Sequence, residues 1–150
     1  MLNLSIVIDN YRSWSKLESC LLSIYQQKQK VKKVVIVDNL SDDGVIEDFV
    51  KKFPWVEWVK NDSNAGFAAG CNLGAQNCSS KWFLFLNPDT RLPKDCLATL
   101  IPYCDQHPDF HLITIKQLSE SGKNTHPYGV FPNVWNSAGI VRSLSRLIFQ

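Results

Sequence analysis

Four apolar runs in this chain are each followed directly by a short polar cluster: Asp9-Asn10-Tyr11, Asp38-Asn39, Asn61-Asp62-Ser63-Asn64 and Asn87-Pro88-Asp89. Carboxylates and carboxamides in such turns can hydrogen-bond the edges of a base, a ribose or a sugar, and a carboxylate can hold a hard divalent cation. Taken singly, each cluster reads more simply as Asp and Asn residues that cap helices or close turns. Four of them, each at the end of an apolar run, point to one polar site suited to a base, a sugar and a diphosphate.

Asp89 is the candidate metal ligand. The run Trp82-Phe83-Leu84-Phe85-Leu86 would deliver it on a stiff strand, and Pro88 restricts the turn. A metal usually prefers two carboxylates and only one is present, so magnesium or manganese would be held by Asp89, phosphate oxygens and waters. An Asn-Pro turn closed by Asp89 is the alternative. The segment from Asn64 to Gly74 is also unusual, with Gly66, Gly70 and Gly74 four residues apart. Glycines inside a helix cost roughly 1 kcal/mol each against alanine. Close approach to a backbone, to a bound nucleotide or to a sheet must offset that.

Two common phosphate devices are missing. The first strand runs into Asp9-Asn10-Tyr11-Arg12-Ser13 without G-x-G-x-x-G, and no G-x-x-x-x-G-K-[ST] loop occurs. Both devices bring backbone amides against phosphate by means of glycine. Their absence argues against a dinucleotide-binding oxidoreductase and against a P-loop nucleotidase.

The elements that must position these residues follow from hydrophobic pattern. Leu4 to Asp9 reads as a strand, and Ser15-Lys16-Leu17-Glu18 as a capping box for a helix with the stripe Leu17, Cys20, Leu21, Ile24. Val34 to Val37 has no polar alternation, as expected for a strand covered on both faces. A helix carries Ile46, Phe49, Val50 and Phe53, and Trp55 to Val59 alternates as a short strand. Residues 67 to 78 predict a third helix, Trp82 to Leu86 a central strand, and Pro93 the first turn of a helix with Leu97, Leu100, Ile101 and Cys104. Phe110 to Ile115 reads as a fifth strand. Alternation of this kind predicts an α/β fold, with helices on both faces of a mostly parallel sheet and ligands at the carboxyl ends of its strands. Residues 1–122 form the expected binding domain. In residues 123–150 a loop-rich stretch leads into a basic amphipathic helix over Val134 to Phe149, which offers peripheral contact with a membrane surface or packs on its own domain.

Composition sets the outer bounds. A chain of 150 residues buries about 70% of its unfolded surface, enough for one core. Sixteen basic against fourteen acidic residues give a net charge of +2, too weak and too scattered for a nucleic-acid partner. Five cysteines without a CxxC pair, and a start without a secretory leader, predict a reducing, cytoplasmic setting. No apolar run approaches the roughly 20 residues of a membrane span.

The motifs Ser5-Ile6-Val7-Ile8-Asp9-Asn10-Tyr11, Val35-Ile36-Val37-Asp38-Asn39-Leu40-Ser41-Asp42-Asp43-Gly44, Asn64-Ala65-Gly66-Phe67-Ala68-Ala69-Gly70-Cys71-Asn72-Leu73-Gly74 and Phe85-Leu86-Asn87-Pro88-Asp89-Thr90 stand in the order seen in family-2 glycosyltransferases. Over about residues 4 to 122 the sequence resembles the bacterial rhamnosyltransferases and other polysaccharide-assembly enzymes of that family. The resemblance implies a GT-A, Rossmann-like nucleotide-diphospho-sugar transferase fold that is truncated here to its donor-binding portion. It also implies that Asn10 and Tyr11 cradle the nucleobase and that Asp38 bonds the base or ribose. Asn64, Phe67 and Asn72 would line nucleotide and sugar, with Asn87 and Asp89 matching the first and last acids of a DxD-like motif. The partners implied are a nucleotide-diphosphate sugar donor and a saccharide or lipid-linked acceptor, with transfer by inversion. Asp9, Arg12, Cys71 and Asn87 depart from the commoner residues. Asp105, Asp109 and Glu120 match no base motif of the family, so none is assigned as general base. A non-catalytic nucleotide-binding or regulatory module stays open as the alternative function, and so does an interaction domain acting through Trp135 to Phe149.

Overall fold

The computed structural model describes residues 2–119 and 121–123. The chain divides into two compact units, Met1–Asp109 and Phe110–Gln150. In the first, four strands alternate with four helices: β1 (Leu2–Asn10), α1 (Trp14–Tyr25), β2 (Val31–Asp38), α2 (Ile46–Lys52), β3 (Glu57–Lys60), α3 (Phe67–Gln76), β4 (Trp82–Leu86) and α4 (Cys96–Gln106). The sheet order is β3-β2-β1-β4, and every pairing is parallel. Because the strands run one way, all four carboxyl ends fall on one rim.

The apolar alternation sends side chains to both faces. Leu4, Ile6, Ile8 and Ile36 pack with Leu17, Leu21 and Ile24 of α1, Phe49 of α2, and Leu97 and Ile101 of α4 in one buried cluster. On the other face α3 lies close against β1 and β2. A Cβ added at Gly74 would stand 2.4 Å from Val7 Cγ1, and one at Gly70 would stand 2.0 Å from Asp9 Oδ1. Plain packing on the sheet is therefore what the helix glycines permit. Gly66 is not inside the helix; it precedes it at φ +85°. The result is a three-layer α/β/α arrangement, as expected.

Several expectations are corrected. β4 is an edge strand among the described residues rather than a central one: Trp82 and Leu84 pack on the core, while Phe83 and Phe85 stack on each other at 6.4 Å on the other face, half exposed. Ser15 makes no capping box. α1 begins at Trp14, whose indole donates to Asp43 at 2.7 Å and packs on Phe49 at 5.0 Å, and this anchoring places Ser15 inside the first turn. β3 starts at Glu57 because Trp55 leaves the strand to stack with Tyr25 at 5.7 Å. Pro93 lies in the turn before α4, its carbonyl accepting from Cys96 N–H at 3.1 Å.

In the second unit, Phe110 to Ile115 is not a strand. Phe110 is 50% and Leu112 86% exposed, and no ladder runs through the segment among the described residues. An apolar run becomes a strand only when a neighbour takes its backbone groups. The helix expected over Val134 to Phe149, and Glu120, lie outside the described residues.

Candidate functional site

Strand register builds the site. Asn10 at the tip of β1 lies opposite Asp38 at the tip of β2, and Ile8 lies opposite Leu86, so that Asn87 begins one residue beyond β4. Asp38 and the Asn87-Pro88-Asp89 turn thus flank β1 on the same rim, two strand spacings or about 10 Å apart. The sheet brings the polar ends of all four strands together, as the sequence predicts.

Each tip is held differently. Asn10 is fully buried, and neither its amide nitrogen nor its oxygen has a hydrogen-bond partner. Tyr11 follows, 46% exposed. Asp38 is buried and accepts a short hydrogen bond from the Ser41 hydroxyl. Asn39 is the hub between two loops: its Nδ2 donates to Asn64 Oδ1 at 3.2 Å, and its Oδ1 accepts from Asn61 Nδ2 at 2.9 Å. Asn64 Oδ1 also accepts from Gly66 N–H at 3.1 Å, which orders the entry to α3 and presents Phe67, 52% exposed, at its first turn. Asn72 stands exposed on the same helix, about 7 to 8 Å further along its axis from the rim.

Asn87 and Asp89 are exposed in a turn closed by Thr90 N–H to Asn87 O at 3.0 Å. That is the hydrogen bonding of an Asn-Pro turn, and it leaves the Asp89 carboxylate without a partner among the described side chains. No group of three or more His, Cys, Asp or Glu converges as a metal cage among the described residues. A lone exposed carboxylate fits only the mode in which magnesium or manganese takes most of its ligands from phosphate and water. Asp105, by contrast, accepts from Lys81 and Trp82 at the opposite end of β4, away from the rim.

The electrostatics single out Asp9, which the sequence places in the polar cluster after the first strand and marks as a departure from the commoner residue, without assigning it a role. Burial raises its carboxyl above the usual range, a bond from Asn39 opposes the rise, and nearby Asp38 adds to it. Its Oδ1 is buried and unpaired beside Gly70. Asp38 is raised by burial as well, opposed by its bonds with Ser41. Beside Asp38 a cleft of about 330 Å³ opens between the loops after β2 and β3, lined by Asp42, Asp43, Glu47, Lys60 and Asn61 among others. A second cavity, of about 290 Å³, lies by Ser23, Gln27 and Leu92 and touches none of the strand tips. Backbone strain collects at the rim too. Of the four non-glycine residues with positive φ among the described residues, three, Arg12 (52°), Leu40 (62°) and Asp42 (48°), lie in the loops after β1 and β2.

The parallel sheet thus gathers asparagines, two buried acids and an exposed aspartate on one rim. The chain belongs to glycosyltransferase family 2, whose description, Glycosyl transferase family 2, matches residues 5–147. It is 29% identical over 110 residues to an uncharacterized glycosyltransferase of Haemophilus influenzae, spanning 73% of this chain and 37% of that protein. It is 27% identical over 99 residues to the teichoic acid poly(glycerol phosphate) polymerase of Staphylococcus epidermidis, spanning 61% of this chain and 13% of the relative. Among solved structures, S. aureus TarS 1-349 in complex with UDP-GlcNAc superposes with a TM-score of 0.64 at 22% identity, over 72% of this chain and 32% of TarS. The mannosyltransferase PcManGT from Pyrobaculum calidifontis, in complex with GDP-Man and Mn2+, gives 0.61 at 22%, over 68% and 32%. These likenesses place the fold among the GT-A glycosyltransferases. The chain spans little more than a third of the relatives it matches, and less of most.

Proposed function

We propose that this domain binds a nucleoside-diphosphate sugar along the carboxyl rim of its sheet and serves as the donor half of a glycosyltransferase. The observation that carries the reading is Asn10. A fully buried carboxamide with no partner, in register with a buried aspartate, costs about 1–3 kcal/mol of desolvation unless something bonds it. Asn10 and Tyr11 would take the base, Asp38 the base or ribose, and Asn64, Phe67, Asn72 and Asn87 the remaining nucleotide and sugar.

Asp89 would hold magnesium or manganese, which when bound supplies charge neutralisation for the departing diphosphate. The residues of this chain orient the anomeric carbon toward the open side of the rim, where an acceptor hydroxyl attacks with inversion. That acceptor is a saccharide or lipid-linked sugar in cell-surface polysaccharide assembly, at the cytoplasmic side of a membrane, and the rhamnosyltransferase resemblance puts a deoxyhexose among the donors to test. Among the described residues no helix is long and apolar enough to cross a membrane.

Calorimetry with UDP, GDP, dTDP, ADP and CDP, each with and without manganese, tests the proposal. At least one diphosphate binds, and Asp89→Ala removes the manganese-dependent part of its affinity while sparing the rest. Failure of every diphosphate to bind, or an unchanged manganese response in Asp89→Ala, refutes the assignment.

A further inference from the structure

Arg12 follows Tyr11 on the loop after β1, and three contacts tie it to the neighbouring loop and ring. Its backbone N–H donates to Ser41 Oγ at 3.0 Å, its Nε donates to Ser41 O at 3.0 Å, and its guanidinium lies 5.2 Å from the centroid of the Tyr11 ring. Ser41 is fully buried, and its hydroxyl donates a hydrogen bond to Asp38. Asp38, Ser41, Arg12 and Tyr11 therefore form one chain of contacts, which joins the buried acid at the tip of β2 to the exposed ring at the tip of β1.

The backbone of Arg12 sits at φ +52°, a region that asparagine or glycine adopts at lower cost than arginine. The backbone bond to Ser41 would survive either substitution. Only the long side chain can cover one face of Tyr11 and reach the Ser41 carbonyl. Tyr11 is still 46% exposed with the guanidinium in place, so the residue stays open to a ligand.

We infer that Arg12 is a positioning residue of the donor site: it clamps the Tyr11 ring to the Asp38 loop, so that stacking of the nucleobase and its hydrogen bond to Asp38 form as one unit. The inference rests on the donor-site reading above. It concerns the base end of the ligand, and Arg12 itself touches neither phosphate nor sugar.

Arg12→Asn tests it, measured by calorimetry with the nucleoside monophosphate and diphosphate of whichever base the wild type binds, alongside thermal melting. The variant melts no lower than the wild type, because the backbone is relieved. It binds both nucleotides about fivefold more weakly, the worth of a cation over an aromatic face. Arg12→Lys keeps a cation over the ring and restores most of that loss. In a Tyr11→Leu background Arg12→Asn costs nothing further. Unchanged binding in Arg12→Asn overturns the inference, as does a loss confined to the diphosphate, which would place the guanidinium on phosphate. Losses that multiply in the double variant, or no recovery with lysine, overturn it equally. If the wild type binds no nucleotide at all, the donor-site reading falls and this inference falls with it.

Discussion

Gly70→Ala measures how tightly the site is built into the fold. Alanine in a helix interior is worth about 1 kcal/mol over glycine, so an unobstructed position would gain stability. Here the new Cβ would lie 2.0 Å from Asp9 Oδ1, 2.6 Å from its Cγ and 3.3 Å from its Cβ. Asp9 is only 9% exposed, so the carboxyl cannot swing freely into solvent, and moving it disturbs the bond from Asn39. Overpacking of this kind costs about 1–3 kcal/mol. Taking the upper end and subtracting the helix gain leaves Gly70→Ala about 2 kcal/mol less stable, roughly 6 to 9 °C in melting temperature for a domain of this size. In an Asp9→Ala background the obstructing carboxyl is gone and the same substitution stabilises by up to about 1 kcal/mol. Urea unfolding of the four proteins at constant m-value gives a coupling of about 3 kcal/mol between the two sites. An equal cost in both backgrounds would refute the contact, and a stabilising Gly70→Ala in the wild type would refute the packing of α3 on β1.

Two further outcomes follow from the buried groups. Asp9 has its folded-state pKa raised above the ordinary 3.8; the folded protein thus binds more protons than the unfolded one over the window above 3.8, and stability falls as pH rises through the raised value. Asp9→Asn removes that slope: it is more stable than wild type at neutral pH, with the advantage shrinking on acidification toward 3.8, as urea midpoints across pH will record. Cys20, fully buried, has its thiol pushed up to about 12 by burial and by Asp89, so in native protein it resists iodoacetamide while the half-buried Cys78 reacts first, and peptide mapping shows Cys20 labelled only after unfolding.

How much of this was legible before the structure depends on the kind of signal. The run Val34 to Val37 is apolar on both faces, and with the alternation of strands and helices that placed it in the interior of a parallel sheet whose polar strand tips share one rim. The pattern did not separate Trp82 to Leu86 from a central strand, because Phe83 and Phe85 are as apolar as Leu84 while pointing to a face that leaves them half exposed. Nor could it place the start of α1, which the Trp14–Asp43 bond fixes across 29 residues. Asp38 and Asn64 stood out by motif. The importance of Asp9 and Ser41 did not, since an aspartate at a strand end and a serine in a polar loop look ordinary until Gly70 and Arg12 are seen against them.

The distribution of unsatisfied groups argues for a ligand at the rim more strongly than any one residue does. Among the described residues, the buried side-chain atoms without partners belong to Asp9 and Asn10 alone, neighbours at the tip of β1. At the amino ends of the strands polar groups are paired: Lys33 with Glu57, Lys81 with Asp105, Lys32 with Ser79. Three of the four left-handed non-glycine residues among the described ones also sit on rim loops. Strain and unpaired polarity each lower stability by about 1–3 kcal/mol, and chance would not gather both at the same end of one sheet. The buried cluster below, with Leu17, Leu21, Ile6 and Ile36 almost free of solvent, supplies the stability that lets the tips of β1 and β2 stay preorganised with bonds still to make. A base and ribose that complete those bonds would raise the melting temperature of the wild type, and they would do so least in the variant that replaces Asn10 with leucine.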